Sequence, residues 1–172
     1  MITLKVDTTE VRKQLATLAG RCDNLTPVMK RIGSLIRASV RENFKAGGRP
    51  EKWKTSKRAE GQRGQTLRDK NILYNSFTIQ AGRSLVAVGT NVDYAAAHHF
   101  GVNKAVTQLI RNHQRRINQA FGKPIEQKAV QVKAHTRKFT LRLPARPFML
   151  VQDEDWADIS EAIEFFLLRG RS

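Results

Sequence analysis

Apolar residues between Pro27 and Phe44 recur every three or four positions, which is the spacing of one face of an α-helix. The residues on this face are Val28, Ile32, Leu35, Ile36, Ser39 and Val40. Proline suits a first helical turn, and Gly47-Gly48 ends the pattern. The same spacing occurs upstream at Val11, Leu15, Leu18 and Cys22. The first quarter of the chain is therefore predicted to form two helices.

Farther along the chain, apolar and polar residues alternate, as they do in β-strands. Phe77–Ala81 and Leu85–Gly89 are short runs of this kind, separated by a Gly-containing turn, and they predict an antiparallel hairpin. Val130–Leu143 alternates over most of its length, which predicts one long strand or a hairpin that turns near His135 to Lys138. A short strand is also predicted at the start of the chain, on Ile2, Leu4 and Val6.

Two later segments return to helical spacing. The stretch from Val102 to Ala120 predicts an amphipathic helix with apolar positions Val106, Leu109, Ile110, Ile117 and Phe121. A last helix is predicted from Asp153 to Gly170, with Trp156, Ile159, Ile163, Phe166 and Leu167 on one face. These elements predict an α+β fold in which two N-terminal helices and a C-terminal helix pack on a small antiparallel or mixed β-sheet, with an extended basic loop or arm.

A chain of 172 residues is long enough for one domain with a core and short for two. We expect a single domain spanning residues 1–172. Residues 46–66 hold four of the eleven glycines together with Pro50 and many charges, so this segment is predicted to be an exposed basic loop. Residues 102–143 are predicted to form a basic insertion or arm.

The formal net charge is +16, and it is unevenly distributed. Residues 49–72 contain eight basic and three acidic residues, residues 101–146 contain eleven and one, and residues 147–172 contain two and six. An excess of this size excludes an acidic, solvating chain and suggests a polyanionic neighbour. The total alone does not distinguish DNA, RNA, a membrane surface and an acidic protein.

The basic residues of these blocks are the candidates for facing DNA or another subunit: Lys52, Lys54, Lys57, Arg58, Arg111, Arg115, Arg116, Lys133, Arg137 and Lys138. Such side chains contact phosphates without sequence preference. Few aromatic residues lie among them, which argues against a protein that stacks single-stranded bases.

No catalytic, cofactor-binding or metal-binding pattern is evident, so we do not expect an enzyme. The carboxylates between residues 49 and 152 are scattered, and Asp153, Glu154 and Asp155 suit the start of a helix better than a metal site. His98 and His99 are adjacent, so on a helix they point in different directions; one is expected to be packed and the other exposed. Cys22 lies on an apolar helix face and is expected to be a buried structural thiol.

The sequence shows no signal peptide and no apolar run close to the roughly 20 residues needed to span a bilayer. We therefore expect no membrane partner and a cytoplasm-like environment. A single cysteine also makes an internal disulfide impossible.

Four short stretches occur in a distinctive order. They are Gly48–Trp53 with its single tryptophan, Leu67–Phe77 with Leu73 and Ser76, Tyr94–Gly101 with His98 and Phe100, and Pro144-Ala-Arg-Pro-Phe148. Together they resemble the phage virion morphogenesis, or tail completion, family of Mu-like and related tailed phages. Asn71 stands where that family tends to have Gly, and Asn also tolerates a left-handed backbone.

The resemblance implies a structural virion protein at the head–tail junction: a tail completion, tail terminator or neck protein present in the host cytoplasm during assembly. It implies a ring of copies, expected to be a hexamer, around the DNA channel. Its partners would be other copies of itself, tail tube or sheath proteins or head connector proteins, and non-specifically bound duplex DNA. No cofactor is implied.

The resemblance also marks eleven motif residues: Trp53, Leu73, Ser76, Tyr94, His98, Phe100, Gly101, Pro144, Arg146, Pro147 and Phe148. We expect them to act structurally more than through direct partner contact. Tyr94 and Phe100 would lie in the core, Gly101 would stop a helix, and the two prolines would form a bent crossing that brings Arg146 onto the helix end.

Two other functions remain open on the sequence. The charge alone suits a free, sequence-nonspecific nucleic-acid-binding protein of ribosomal or nucleoid type. A phosphodiester hydrolase that uses His98, His99 or His135 has the least support, because the carboxylates needed for metal ions are not clustered.

Overall fold

The structure, a computed structural model, describes residues 7–120 and 122–170. The chain divides into two compact units: Met1–Phe100 with Ala145–Ser172, called the main unit below, and Gly101–Pro144, called the ribbon. The predicted α+β class is confirmed, because helices and small antiparallel sheets make up the described chain. The single-domain organisation stays a prediction. The strand predicted at Ile2 to Val6 lies outside the described residues.

The main unit begins with two helices, as the apolar spacing predicts. Helix α1 spans Thr9–Cys22 and α2 spans Thr26–Ala46. Proline lies in the first turn of α2, and Gly47 ends the helix at a φ of +69°. A residue with a side chain is strained at that φ, which explains why glycine terminates the helix here.

Helix α2 contributes to both clusters of buried hydrophobic residues. Its buried residues include Val28 and Ile32 at one end and Val40 and Phe44 at the other. The last helix, α6, spans Asp153–Arg169 and packs Ile159 and Phe166 against the first pair. Two of its other predicted core residues are exposed: Trp156 at 58% and Ile163 at 37%. The buried side of α6 runs through Ile159 and Phe166, and Trp156 lies at the margin of that side, about 60° around the helix from Ile159.

Short elements fill the space beside α2. They are α3 (Lys57–Gln62), α4 (Ile72–Asn75), strands β1 (Thr78–Ala81) and β2 (Val86–Gly89), and α5 (Ala95–Phe100). Strands β1 and β2 pair antiparallel, which confirms the predicted hairpin. Segment 46–66 was expected to be irregular and exposed, but it contains α3 and buries Trp53 and Ala59.

Cys22 is exposed, so the prediction of a buried thiol is wrong. Helix α1 has no buried residue among those described, and its apolar residues Val11 and Leu15 are 56% and 60% exposed. The helical spacing was correct, but no residue of the described ranges covers most of that face.

The ribbon consists of β3 (Val102–Ile110), β4 (His113–Ala120), β5 (Lys123–Val132) and β6 (His135–Leu143). Strand β3 pairs antiparallel with β6, and β4 pairs antiparallel with β5. Ile110 faces His135 and His113 faces Val132, so the register continues across the two-residue break on each side. The four strands therefore form one long, two-stranded antiparallel ribbon, up to roughly 60 Å in length at 3.4 Å per residue.

Two predictions for the ribbon are wrong. The helix expected from Val102 to Ala120 is a pair of strands, because Val102, Val106 and Ile110 are spaced by four residues, a spacing that also places them on one face of a strand. Of the two alternatives for Val130–Leu143, the hairpin with a turn near His135 to Lys138 is wrong, because β6 runs through those residues and pairs with β3. The single long strand is nearer to the structure, since only residues 133–134 separate β5 from β6. Phe121, assigned to the same helix, lies outside the described residues.

Candidate functional site

The motif segments of the main unit meet around the side chain of Phe148. Its ring centroid lies 5.2 Å from that of Phe44, 5.9 Å from that of Phe77 and 4.9 Å from that of His99. Trp53 packs edge-on against Phe44 at 5.6 Å, and its indole Nε1 donates a hydrogen bond of 3.1 Å to the carbonyl of Pro147. Edge-to-face contacts and a satisfied indole N–H favour this arrangement.

Segment 145–150 is held in an extended course by hydrogen bonds on both sides. The N–H of Arg146 donates to the carbonyl of His98 at 2.9 Å, at the last turn of α5. The N–H of Phe148 donates to Nδ1 of His99 at 3.3 Å, and Nδ2 of Asn43 donates to the carbonyl of Phe148 at 2.9 Å. Prolines flank Arg146 and lack an N–H, so side chains complete the bonding of this segment.

A polar network ties α6 to α2. The hydroxyl of Ser39 donates to Oδ2 of buried Asp155 at 2.5 Å, and the N–H of Gln152 donates to the same oxygen at 2.7 Å. Arg49 donates to Oδ1 of Asn43 at 2.8 Å and to Oγ of Ser39 at 2.9 Å. The expected capping role of the acidic start of α6 is thus seen for Asp155, which forms a capping box with Gln152.

A cavity of about 280 Å³ lies beside α5. Its polar lining residues are Ser56, Arg58, Asp69, Lys70, Asn71, Tyr94, His98 and Arg146. Arg146 is only 4% exposed, and its Nε donates to the carbonyl of Lys54 at 3.0 Å. Nδ1 of His98 is buried and has no hydrogen-bond partner among the described residues.

Burial sets the electrostatics of this cavity and its surroundings. Burial, and after it the charge of Arg146, lowers the pKa of His98 below its ordinary 6.5. Burial alone lowers the pKa of His99, and it also lowers the pKa of the Arg146 guanidinium. A neutral His99 has a free lone pair on Nδ1, which its contact with the Phe148 N–H requires.

The remaining motif residues divide into structural and exposed positions. Leu73 is buried, and the hydroxyl of Ser76 donates to the Leu73 carbonyl at 2.8 Å. Gly101 has a φ of +77°, which suits a residue that ends a helix. Pro144 is the last residue of the ribbon.

Three expectations for α5 are wrong. Tyr94 and Phe100 are 46% and 76% exposed, although both were expected in the core. His98 and His99 are both half-buried, although one was expected to be packed and the other exposed. In this helix of six residues Ala95 is the buried position, so the larger residues occupy its margins. Tyr94 packs edge-on against His98 at 5.8 Å.

The basic candidates belong to two different units. Lys52, Lys54 and Lys57 are exposed and Arg58 is half-buried in the main unit. The six others are exposed on the ribbon: Arg111, Arg115, Arg116, Lys133, Arg137 and Lys138.

Several residues of interest were not singled out by sequence reasoning. Asn43 is fully buried on the apolar face of α2, and an Asn inside such a face was an available signal for a specific polar contact. Asn71 has a φ of +57°, in line with its expected left-handed backbone.

Within residues 7–120 and 122–170, no three His, Cys, Asp or Glu side chains lie together in a way that could hold a metal ion. None of the helices described combines the length and the apolar character of a membrane-spanning segment.

Comparison with known proteins identifies the family. The model of the phage virion morphogenesis family matches residues 6–167. The chain is also 30% identical over 155 residues to the Mu-like prophage FluMu G protein 2 of Haemophilus influenzae, an alignment that covers 90% of this chain and 87% of the relative. No solved structure is significantly similar to the chain. On this evidence the chain belongs to the phage virion morphogenesis family.

Proposed function

We propose that this protein of phage virion assembly acts at the head–tail junction, as a tail completion, tail terminator or neck protein. Copies of the chain form a closed ring around the DNA channel, expected to be a hexamer. The role is structural and needs no enzymatic activity or cofactor. Membership of the virion morphogenesis family supports the assembly role, and the surface of the ribbon supports contact between copies.

The ribbon is the observation that carries this proposal. On one face of β3 and β6, the pairs Val102–Leu143, Lys104–Leu141 and Val106–Phe139 lie in successive rows. Phe139 and Leu141 are each 36% exposed. A two-stranded ribbon has no second layer to cover such a face and is marginally stable alone, so a protein surface is expected to pack on it.

The main unit offers a surface of matching character. A groove of about 470 Å³ between α2 and α6 has an apolar lining that includes Leu35 and Phe165, the latter 44% exposed. The charged residues that line this groove are Asp158, Glu161 and Arg31, all exposed, so its carboxylates outnumber its one cation. The ion pairs found among the described residues include neither carboxylate.

Charge selects this pairing over the alternatives. Residues 101–144 contain ten Lys and Arg against one Glu, whereas α6 contains six acidic residues and one Arg. Two ribbons would repel each other, but a ribbon and the α6 groove of a neighbouring copy attract. Contacts between two different surfaces of identical copies are head-to-tail, the kind that closes into rings.

The second face of the ribbon remains for DNA. Arg142 and Lys138 lie in rows with Asn103 and Thr107, on the face opposite Val106. Basic side chains there would lower the electrostatic cost of passing duplex DNA through the ring without reading its sequence. The opposite face, with Val106 and Phe139, is apolar and gains nothing from contact with a phosphate backbone. A protein partner is therefore favoured for that face.

The test is a charge exchange on the full chain. We expect Lys104→Glu with Arg137→Glu to break the ring into monomers, and Asp158→Lys with Glu161→Lys to do the same. Combining all four changes should restore assembly, as measured by native mass spectrometry. The control is Arg83→Glu, at an exposed position of the β1–β2 turn, which should leave the mass unchanged.

A wild-type protein that stays monomeric at every concentration would overturn the ring. Reversed variants that assemble normally, or a combined variant that stays monomeric, would overturn the pairing of ribbon and groove. Tight binding of duplex DNA by the monomer, unaffected by Lys104→Glu, would instead favour a free nucleic-acid-binding protein.

A further inference from the structure

The cavity beside α5 carries an excess of positive charge. Arg58, Lys70 and Arg146 line it together with one carboxylate, that of Asp69. Asp69 is engaged with Arg58, since its Oδ1 lies 3.8 Å from Nη1 of that residue. The cavity therefore offers cations that its own carboxylate does not neutralise.

Arg146 is the most confined of these cations. It is 4% exposed, and the ion pairs found among the described residues do not include it. A buried charge without a counter-ion is costly, and the cost falls when an anion pairs with it. Arginine also presents a planar fork of donors that suits a carboxylate.

A second observation points to the same cavity. His98 lines the cavity, and its Nδ1 is buried and has no partner among the described residues. Buried polar atoms are nearly always hydrogen-bonded, so an orphaned one indicates a missing partner. A polar group bound beside Arg146 would be placed to provide one.

The apolar residues that line the rest of the cavity, and its small volume, restrict the size and chemistry of the ligand. Leu67, Ile72, Leu73 and Tyr94 give the cavity apolar surface, and a volume of about 280 Å³ is below the usual range for a drug-sized ligand. A single side chain with a short aliphatic stem fits this description. A phosphate of duplex DNA does not, because it carries a sugar on each side.

We propose that this cavity binds an Asp or Glu side chain of another virion protein, with Arg146 as the carboxylate receptor. The site rests on the proposed assembly role, which supplies protein partners. It is separate from the ribbon and its groove, because it is formed within the main unit alone.

The test uses the full chain and a small probe, N-acetylglutamate N-methylamide, with N-acetylglutamine N-methylamide as the matched neutral control. The ring proton resonances of His98 should shift saturably with the glutamate probe and not with the glutamine probe. Equal responses to the two probes, or no saturation by the glutamate probe, would overturn the proposal. So would tighter binding of inorganic phosphate or of a DNA duplex at the same resonances.

Arg146→Gln should weaken binding of the glutamate probe by about tenfold or more, since a charged hydrogen-bond partner is lost. Arg83→Gln, at an exposed position of the β1–β2 turn, should leave it unchanged. If Arg146→Gln does not fold, Lys70→Gln at the exposed margin should weaken binding about threefold. Unchanged affinity in the folded variants would overturn the proposed carboxylate site. It would not bear on the proposed ring, because the charge exchange that tests the ring changes other residues.

Discussion

Replacement of Phe148 by alanine tests the claim that the motif residues form a structural frame. Phe148 is 1% exposed, and its ring contacts those of Phe44, Phe77 and His99 at centroid distances of 4.9 to 5.9 Å. Its backbone is fixed by His99 and Asn43, so the main chain has little freedom to close the space left by the ring.

The expected cost follows from this confinement. Truncating a fully buried Phe to Ala removes its transfer free energy and leaves a cavity, at about 3–5 kcal/mol. Because the surrounding side chains are held by aromatic contacts on three sides, we expect a value near the middle, about 4 kcal/mol. For a chain of this size such a loss lowers the melting temperature by roughly 8–16 °C.

The assay is thermal and urea denaturation followed by circular dichroism, with Phe100→Ala as the matched control. Phe100 belongs to the same motif set but is 76% exposed, so its truncation should cost no more than about 0.5 kcal/mol. Equal losses in the two variants, or a loss below about 1 kcal/mol for Phe148→Ala, would refute the reasoning.

Three further predictions concern stability. Because His98 and His99 have pKa values below the ordinary 6.5, the unfolded chain binds more protons, and the free energy of unfolding should fall as pH drops below about 6.5; urea denaturation from pH 8 to 5 checks this, and a flat profile would contradict it. Gly33→Ala should cost about 1–3 kcal/mol, since its Cβ would collide first with a methyl of Ile79 and would also meet a Val86 methyl at 2.9 Å. Gly20→Ala, with open space around it, should stabilise the helix by about 0.5–1 kcal/mol in the same melts.

The helices with long apolar faces were predictable because their apolar residues recur with the helical period of about 3.6 residues and with no other. Helix α2 has a polar side, an apolar side, a proline at its start and a left-handed glycine at its end, all readable in the chain. Strand β3 was not predictable from period alone. Its apolar residues Val102, Val106 and Ile110 lie four apart, and that spacing satisfies a helix and a strand equally.

The contacts of the site depend on tertiary structure, which the sequence pattern does not specify. Trp53 and Phe148 belong to the motifs that carry the family resemblance, but nothing in their order indicated that the two segments meet or that the indole donates to the Pro147 carbonyl. The exposure of Phe100 also escaped prediction, since an aromatic residue on a short helix is usually assigned to the core. Its position follows from the side of α5 that carries Ala95, because that side packs against the core around Phe148.

The central proposal is that copies of the chain form a ring at the head–tail junction. Electron microscopy of virions with the protein labelled by antibody-bound gold tests it most directly, together with rotational averaging of the purified assembly. The account predicts gold at the single point where head meets tail, and averages with closed rotational symmetry around a central channel. Gold along the whole tail, gold absent from finished virions, or particles without a closed ring would contradict it.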